Sequence, residues 1–179
     1  MKSKSCPAVG FLALLLFVLG PLVTGSPFAA QEKKPLNVDK DGVAIHGYDP
    51  VAYFVEGKAV KGDPLYKSNY GRAIYYFQSS ADKEAFDKEP PKYVPEYGGY
   101  CAMAMTMGQL EDVDPNYFLV HEGKLLLQRN EKAHMMFAKD PVANHRKADD
   151  NWEKMQGQQS KQDLHACKDS YRFAKGPNA

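Results

Sequence analysis

The first 25 residues set what the rest of the chain can become. Lys2 and Lys4 precede an apolar run from Ala8 to Val23 that is broken only by Gly10, Gly20 and Pro21. The run falls short of the roughly 20 apolar residues that cross a bilayer as a helix, and no basic cluster follows Val23 directly. A positive start, an apolar centre and a small-residue exit describe a secretory signal peptide over residues 1–25. Cleavage is expected after Val23-Thr24-Gly25 or after Phe28-Ala29-Ala30, with an uncleaved N-terminal anchor as the alternative. Cys6 precedes the run and so cannot be a lipoprotein anchor cysteine. The expectation is an exported protein, periplasmic or secreted, whose folded part begins downstream.

The whole chain has 23 Lys and Arg against 22 Asp and Glu; without Lys2 and Lys4 the balance is 21 against 22, a net charge of −1. Such an even balance gives no field to draw the protein onto nucleic acid or an anionic membrane. Basic residues are not interleaved with aromatics either, so no nucleic-acid partner is expected, and no membrane partner after cleavage. The roughly 150 remaining residues suit one domain. Cys101 and Cys167 are left after cleavage, and an oxidising compartment leaves open a disulfide between them.

Residues 26–41 form a polar leader without hydrophobic period, expected to be disordered or loosely docked. Order is expected from Gly42. Val43 to Ile45 reads as a strand that His46-Gly47-Tyr48-Asp49-Pro50 interrupts, and Val51 to Val55 resumes the apolar run. Tyr66–Ser68 and Ala73–Phe77 read as strands around a turn at Asn69-Tyr70-Gly71. Ser79 or Ser80 caps a helix that Pro90-Pro91 ends. Tyr117–His121 and Lys124–Gln128 form a hairpin around Glu122-Gly123. Helices follow over Glu131–Lys139 and from Pro141 to about Met155, the second anchored by Trp152, the only tryptophan. The domain therefore spans 42–156, and 157–179 is a polar C-terminal tail with room for a short helix near Leu164–Phe173. The fold class is α+β: a small, mostly antiparallel sheet with packed helices.

Three blocks in order carry a resemblance: Gly47-Tyr48-Asp49-Pro50-Val51-Ala52-Tyr53-Phe54, then Tyr75-Tyr76-Phe77-Gln78-Ser79 with Phe86 and Pro91-Lys92-Tyr93 beyond, then Tyr97-Gly98-Gly99-Tyr100-Cys101-Ala102. Together they resemble the YHS domain family of the metal-associated, TRASH-like group, and its exported bacterial branch in particular. The resemblance runs from about Val43 to Trp152. It implies a small metal-associated domain, yet the positions of the family's usual metal-binding cysteines hold Ala52, Gln78 and Asp82. Structural zinc needs four closed ligands and soft metals prefer thiolates, so the usual site is lost.

What chemistry remains concentrates in the two glycine-containing segments. Cys101, inside the domain, is a candidate metal thiolate or redox thiol, or else a buried small apolar residue. His46 is a candidate metal ligand, with Asp49 to orient its ring or, alternatively, to initiate the turn before Pro50. Tyr53, Tyr97 and Tyr100, from a chain with 11 tyrosines, are candidate pocket residues alongside Asp49. Met103, Met105 and Met107 alternate after Cys101, and an extended segment would put four sulfurs on one face, a soft set suited to Cu(I). His121, His134, His145 and His165 receive no role. The chain lacks a phosphate loop, a Gly-x-Ser-x-Gly elbow, a His-Glu-x-x-His helix and a Cys-x-x-Cys pair.

The leading expectation is a non-enzymatic exported binding module for a metal ion (copper, zinc or iron) or a small molecule, with His46 and Cys101 as metal ligands. The alternatives are a thiol-dependent redox enzyme or enzyme subunit using Cys101, and a structural or interaction domain whose tail meets a partner of unknown identity.

Overall fold

A computed structural model describes the backbone of residues 34–174 and side chains through residue 158. The expected signal peptide, most of the leader and the side chain of Cys167 lie outside the described residues. The fold is α+β, as its patterning implies, although its strands form two separate antiparallel pairs rather than one sheet.

The first pair joins β1 (Asp63–Tyr70) to β2 (Ala73–Phe77), and the second joins β3 (Asp114–His121) to β4 (Lys124–Gln128). Both hairpins close through two residues with positive φ, Gly71 and Arg72 in the first and Glu122 and Gly123 in the second. This mirror-image turn matches the right-handed twist of the strands it connects. The first turn lies later than Asn69-Tyr70-Gly71, because Asn69 and Tyr70 pair with Ile74 and Ala73 and extend the ladder.

The run at 43–45 is not a full strand. Val43 and Ala44 make single bridges to Ile74 and Val38, and a 3-10 turn follows over Ile45–Gly47. Val51–Val55 is likewise not a strand: Ala52–Val55 forms the one-turn helix α1. The described part of the leader, 34–41, is docked. Leu36 and Val38 pack against the core, and the Asn37 N–H donates to the Gly98 carbonyl at 2.8 Å.

Ser79 caps α2 (Ser80–Lys88), accepting from the Asp82 N–H at 3.1 Å. The helix ends before Pro90, which sits in the first turn of α3 (Pro90–Tyr93), where a missing N–H costs nothing. A second 3-10 turn, Glu96–Gly99, leads into α4 (Ala102–Met105). Asn130 caps α5 (Glu131–Ala138) through the Ala133 N–H, and α6 runs from Pro141 to Ala174. The backbone past Gly157 thus continues one helix instead of starting a new short one.

Two apolar clusters meet across β4. Leu125 and Leu127 join the cluster of Phe77, Phe86, Tyr75 and Cys101, whereas Leu126 faces that of Tyr97, Met105, Phe137 and Ala148. Alternation along a strand sends neighbours to opposite faces, so the continuous Leu-Leu-Leu run reports burial on both. Trp152 and Met155, four and seven residues after Ala148, extend the same stripe of α6 into the second cluster. Asn151 on this helix donates to the carbonyls of Met105 and Thr106 at 3.0 and 2.9 Å, satisfying the end of α4.

Close approach dictates one residue. A Cβ on Gly62 would lie 2.6 Å from the Tyr76 carbonyl carbon and 2.8 Å from the Phe77 nitrogen, both backbone atoms. Neither can swing aside without opening β2. Gly62→Ala is expected to cost about 1–3 kcal/mol in denaturant unfolding; an unchanged midpoint would mean that the two backbones are not in this contact.

Candidate functional site

The two glycine-containing segments form similar devices. Ile45, His46 and Gly47 have φ of 52°, 50° and 76°, and Tyr97, Gly98 and Gly99 have φ of 54°, 62° and 86°. Left-handed backbone at non-glycine residues is strained and persists only where the surroundings hold it. Here burial holds it: Ile45 and Tyr97 are both 2% exposed, one in each apolar cluster.

The segments are tied together through Asp112. Its Oδ1 lies 2.9 Å from His46 Nε2 and accepts from Asn37 Nδ2 at 2.8 Å, while Asn37 also donates to the Gly99 carbonyl at 3.1 Å. Partial burial on its own would raise the Asp112 carboxyl; the bonds from Asn37, the Val113 N–H and His46 outweigh it and hold the group below the usual carboxylate range. His46 is therefore engaged in a surface clamp.

The remaining sequence candidates are anchored by bonds of their own. Asp49 is fully buried and accepts from the N–H groups of Val51 and Gln78, each at 2.8 Å. Tyr53 donates to the Pro115 carbonyl at 3.0 Å and packs edge-on against Phe118. Burial raises its hydroxyl pKa and keeps it protonated. Tyr97 donates to Asp149 at 2.9 Å, and Tyr100 to the Leu36 carbonyl at 3.1 Å. Of these, Tyr97 also lines a cavity of about 380 Å³ with Tyr70, Tyr75 and Trp152.

Cys101 is a fully buried thiol, free among the described residues, and the side chain of Cys167 lies outside them. Its Sγ lies 3.6 Å from Gln128 Oε1, which also accepts from the Met103 N–H at 3.1 Å. Cys101 lines a cavity of about 170 Å³ together with Met103 and Met107 from the α4 region and Met136 from α5. Met107 and Met136 are exposed, whereas Cys101 is buried. Arg129 and Lys132 line the same space, with Arg129 paired to Glu111. His46 does not line it.

The extended segment expected at 101–107 is not found. Residues 102–105 are helical, which turns Met105 away into the second apolar cluster at 0% exposure. Met136, 35 positions from Cys101, takes the place in the sulfur set that alternation assigned to Met105. No local pattern announces it; only the packing of α5 against α4 brings it there. His121, Glu122 and His145 also converge, each with one donor atom within 4.8 Å of the others.

Comparison of the chain with models of known protein families, with curated proteins and with solved structures finds no match.

Proposed function

We propose that this domain is a non-enzymatic, exported binding module that holds a soft metal ion, Cu(I) foremost, in the cavity of Cys101. One observation carries the reading: four sulfur-bearing residues, Cys101, Met103, Met107 and Met136, line a single cavity. Soft sulfur ligands select Cu(I) over the harder divalent ions. The likeness of the three sequence blocks to a metal-associated family supports the same reading, with sulfurs at new positions in place of the family's usual ones. Gln128, fully buried and hydrogen-bonded to the Met103 N–H, would orient the metal-facing segment from behind.

A second reading, a thiol-dependent redox enzyme using Cys101, rests on the opening of its cavity beside Arg129 and Lys132. The two differ in alkylation. A redox thiol reacts quickly at neutral pH, whereas a buried copper ligand reacts slowly and is protected further by Cu(I).

Anaerobic titration against a chromogenic Cu(I) chelator tests the proposal. Wild type is expected to take one equivalent. Outer-shell changes at metal sites already cost about 10–100-fold in affinity, so Cys101→Ala, which removes the thiolate itself, is expected to weaken binding by about 100-fold or more. Met136→Leu, which keeps volume, should weaken it less, and His46→Ala should leave it unchanged. Failure of wild type to compete for Cu(I) would overturn the reading.

A further inference from the structure

The turn of the second hairpin and the start of α6 bring together a different donor set. His121 ends β3, Glu122 is the first residue of the turn, and His145 stands near the start of α6. The rings of the two histidines are 5.6 Å apart between centroids. His121 Nε2 is shielded from solvent and has no hydrogen-bond partner among the described residues. A buried polar nitrogen left unpaired is costly, and a cation would relieve it.

His145 is held in place from two sides. Its side chain is 12% exposed, its Nε2 lies 3.8 Å from Asp149 Oδ1, and its ring meets that of Tyr97 edge-on at 6.4 Å. The Tyr97 hydroxyl donates to the same Asp149 oxygen at 2.9 Å, fixing the carboxylate beside the imidazole. His121, Glu122, His145 and Asp149 line a cavity of about 190 Å³ that Arg146 also lines. With neutral imidazoles, Glu122 and Asp149 against Arg146 leave the cavity a net charge of −1, which suits a cation.

We infer that His121, Glu122 and His145 form a binding site for a borderline divalent transition-metal ion of the zinc class. Two imidazoles and one carboxylate are the protein donors of many open zinc sites and of non-haem iron(II) sites, and they leave positions for water or a further ligand. The set contains no sulfur and shares no residue with the Cys101 cavity. Donors around a tetrahedral zinc ion lie about 3.4 Å apart, given bonds of roughly 2.0–2.1 Å. The three donor atoms lie within 4.8 Å of one another, so side-chain rotation is needed to bring them to that spacing, and Glu122 is solvent-exposed.

The test is titration of the metal-free full chain with Co²⁺ alone, read by its visible d–d absorption, followed by displacement with Zn²⁺. One equivalent of Co²⁺ with nitrogen–oxygen bands is expected. His121→Ala and His145→Ala should each weaken binding by about 100-fold and Glu122→Gln by about 10-fold, while Cys101→Ala leaves it unchanged. Because a helix substitution can disturb folding, histidine NMR of the wild type adds a second measure: Zn²⁺ should shift the imidazole signals of His121 and His145 and leave that of His46 in place. Absence of stoichiometric bands, bands indifferent to both histidine substitutions, or thiolate charge-transfer bands that vanish in Cys101→Ala would each overturn the inference. The last outcome would instead assign the ion to the sulfur cavity.

Discussion

Phe86→Ala is expected to destabilise the domain by about 3–5 kcal/mol, the range for emptying a buried aromatic site. Phe86 is 0% exposed, and its ring meets Tyr75 and Phe77 at centroid distances of 5.0 and 5.1 Å, with Tyr70 and Tyr93 at 6.2 and 6.5 Å. These rings come from both strands of the first hairpin and from α3, so the side chain links three elements to α2. Removing it forfeits transfer free energy and leaves a void between rigid aromatic groups that relax poorly. Phe86→Leu fills part of that void and should cost clearly less. Denaturant unfolding followed by Trp152 fluorescence measures both; a loss below about 1 kcal/mol for the alanine variant would mean that α2 does not dock on the hairpin through this ring.

Asp49→Ala is expected to cost about 2–4 kcal/mol, because it leaves the Val51 and Gln78 N–H groups without their acceptor, each worth about 1–3 kcal/mol when buried. The wild-type carboxyl also carries a pH signature. Burial, aided by the Asp82 carboxylate and opposed by those two N–H bonds, pushes its pKa up to about 6. The unfolded value is about 3.9, so between these limits the folded state binds more protons than the unfolded state. Stability from this group is therefore fully present below about pH 4 and lost as pH rises through about 6, by at most about 3 kcal/mol. Asp49→Asn removes the titration. The unfolding free energy of wild type minus that of the Asp49→Asn variant should fall over that interval and stay level above it; a flat difference would place the carboxyl's pKa near its ordinary value.

The parts of the fold governed by neighbouring residues were legible in the sequence. Ser79 as a cap, Pro90 as a stop and Glu122-Gly123 between two β-rich runs each act over a few positions, and each appears where its chemistry puts it. Short apolar runs were not legible, because Val51–Val55 and Cys101–Met107 are too brief for periodicity to separate strand from helix. Cys101, Met103 and Met107 are neighbours in sequence, whereas their companion Met136 depends on α5 lying against α4, a contact between residues more than 25 apart. In sequence Asp49 reads as an orienter of His46; its two backbone N–H partners and the pairing of His46 with Asp112 emerge only in three dimensions. His121 and His145 lacked ligand spacing because a hairpin turn and a helix 24 positions apart bring them together.

The central claim, a sulfur-built soft-metal site, is tested most directly by X-ray absorption at the copper edge on full-length protein loaded anaerobically with one equivalent of Cu(I). The account predicts a first shell of sulfur alone, with a shorter thiolate bond that disappears in Cys101→Ala and no imidazole scattering. A first shell made of nitrogen and oxygen, or one that Cys101→Ala leaves unchanged, would contradict it.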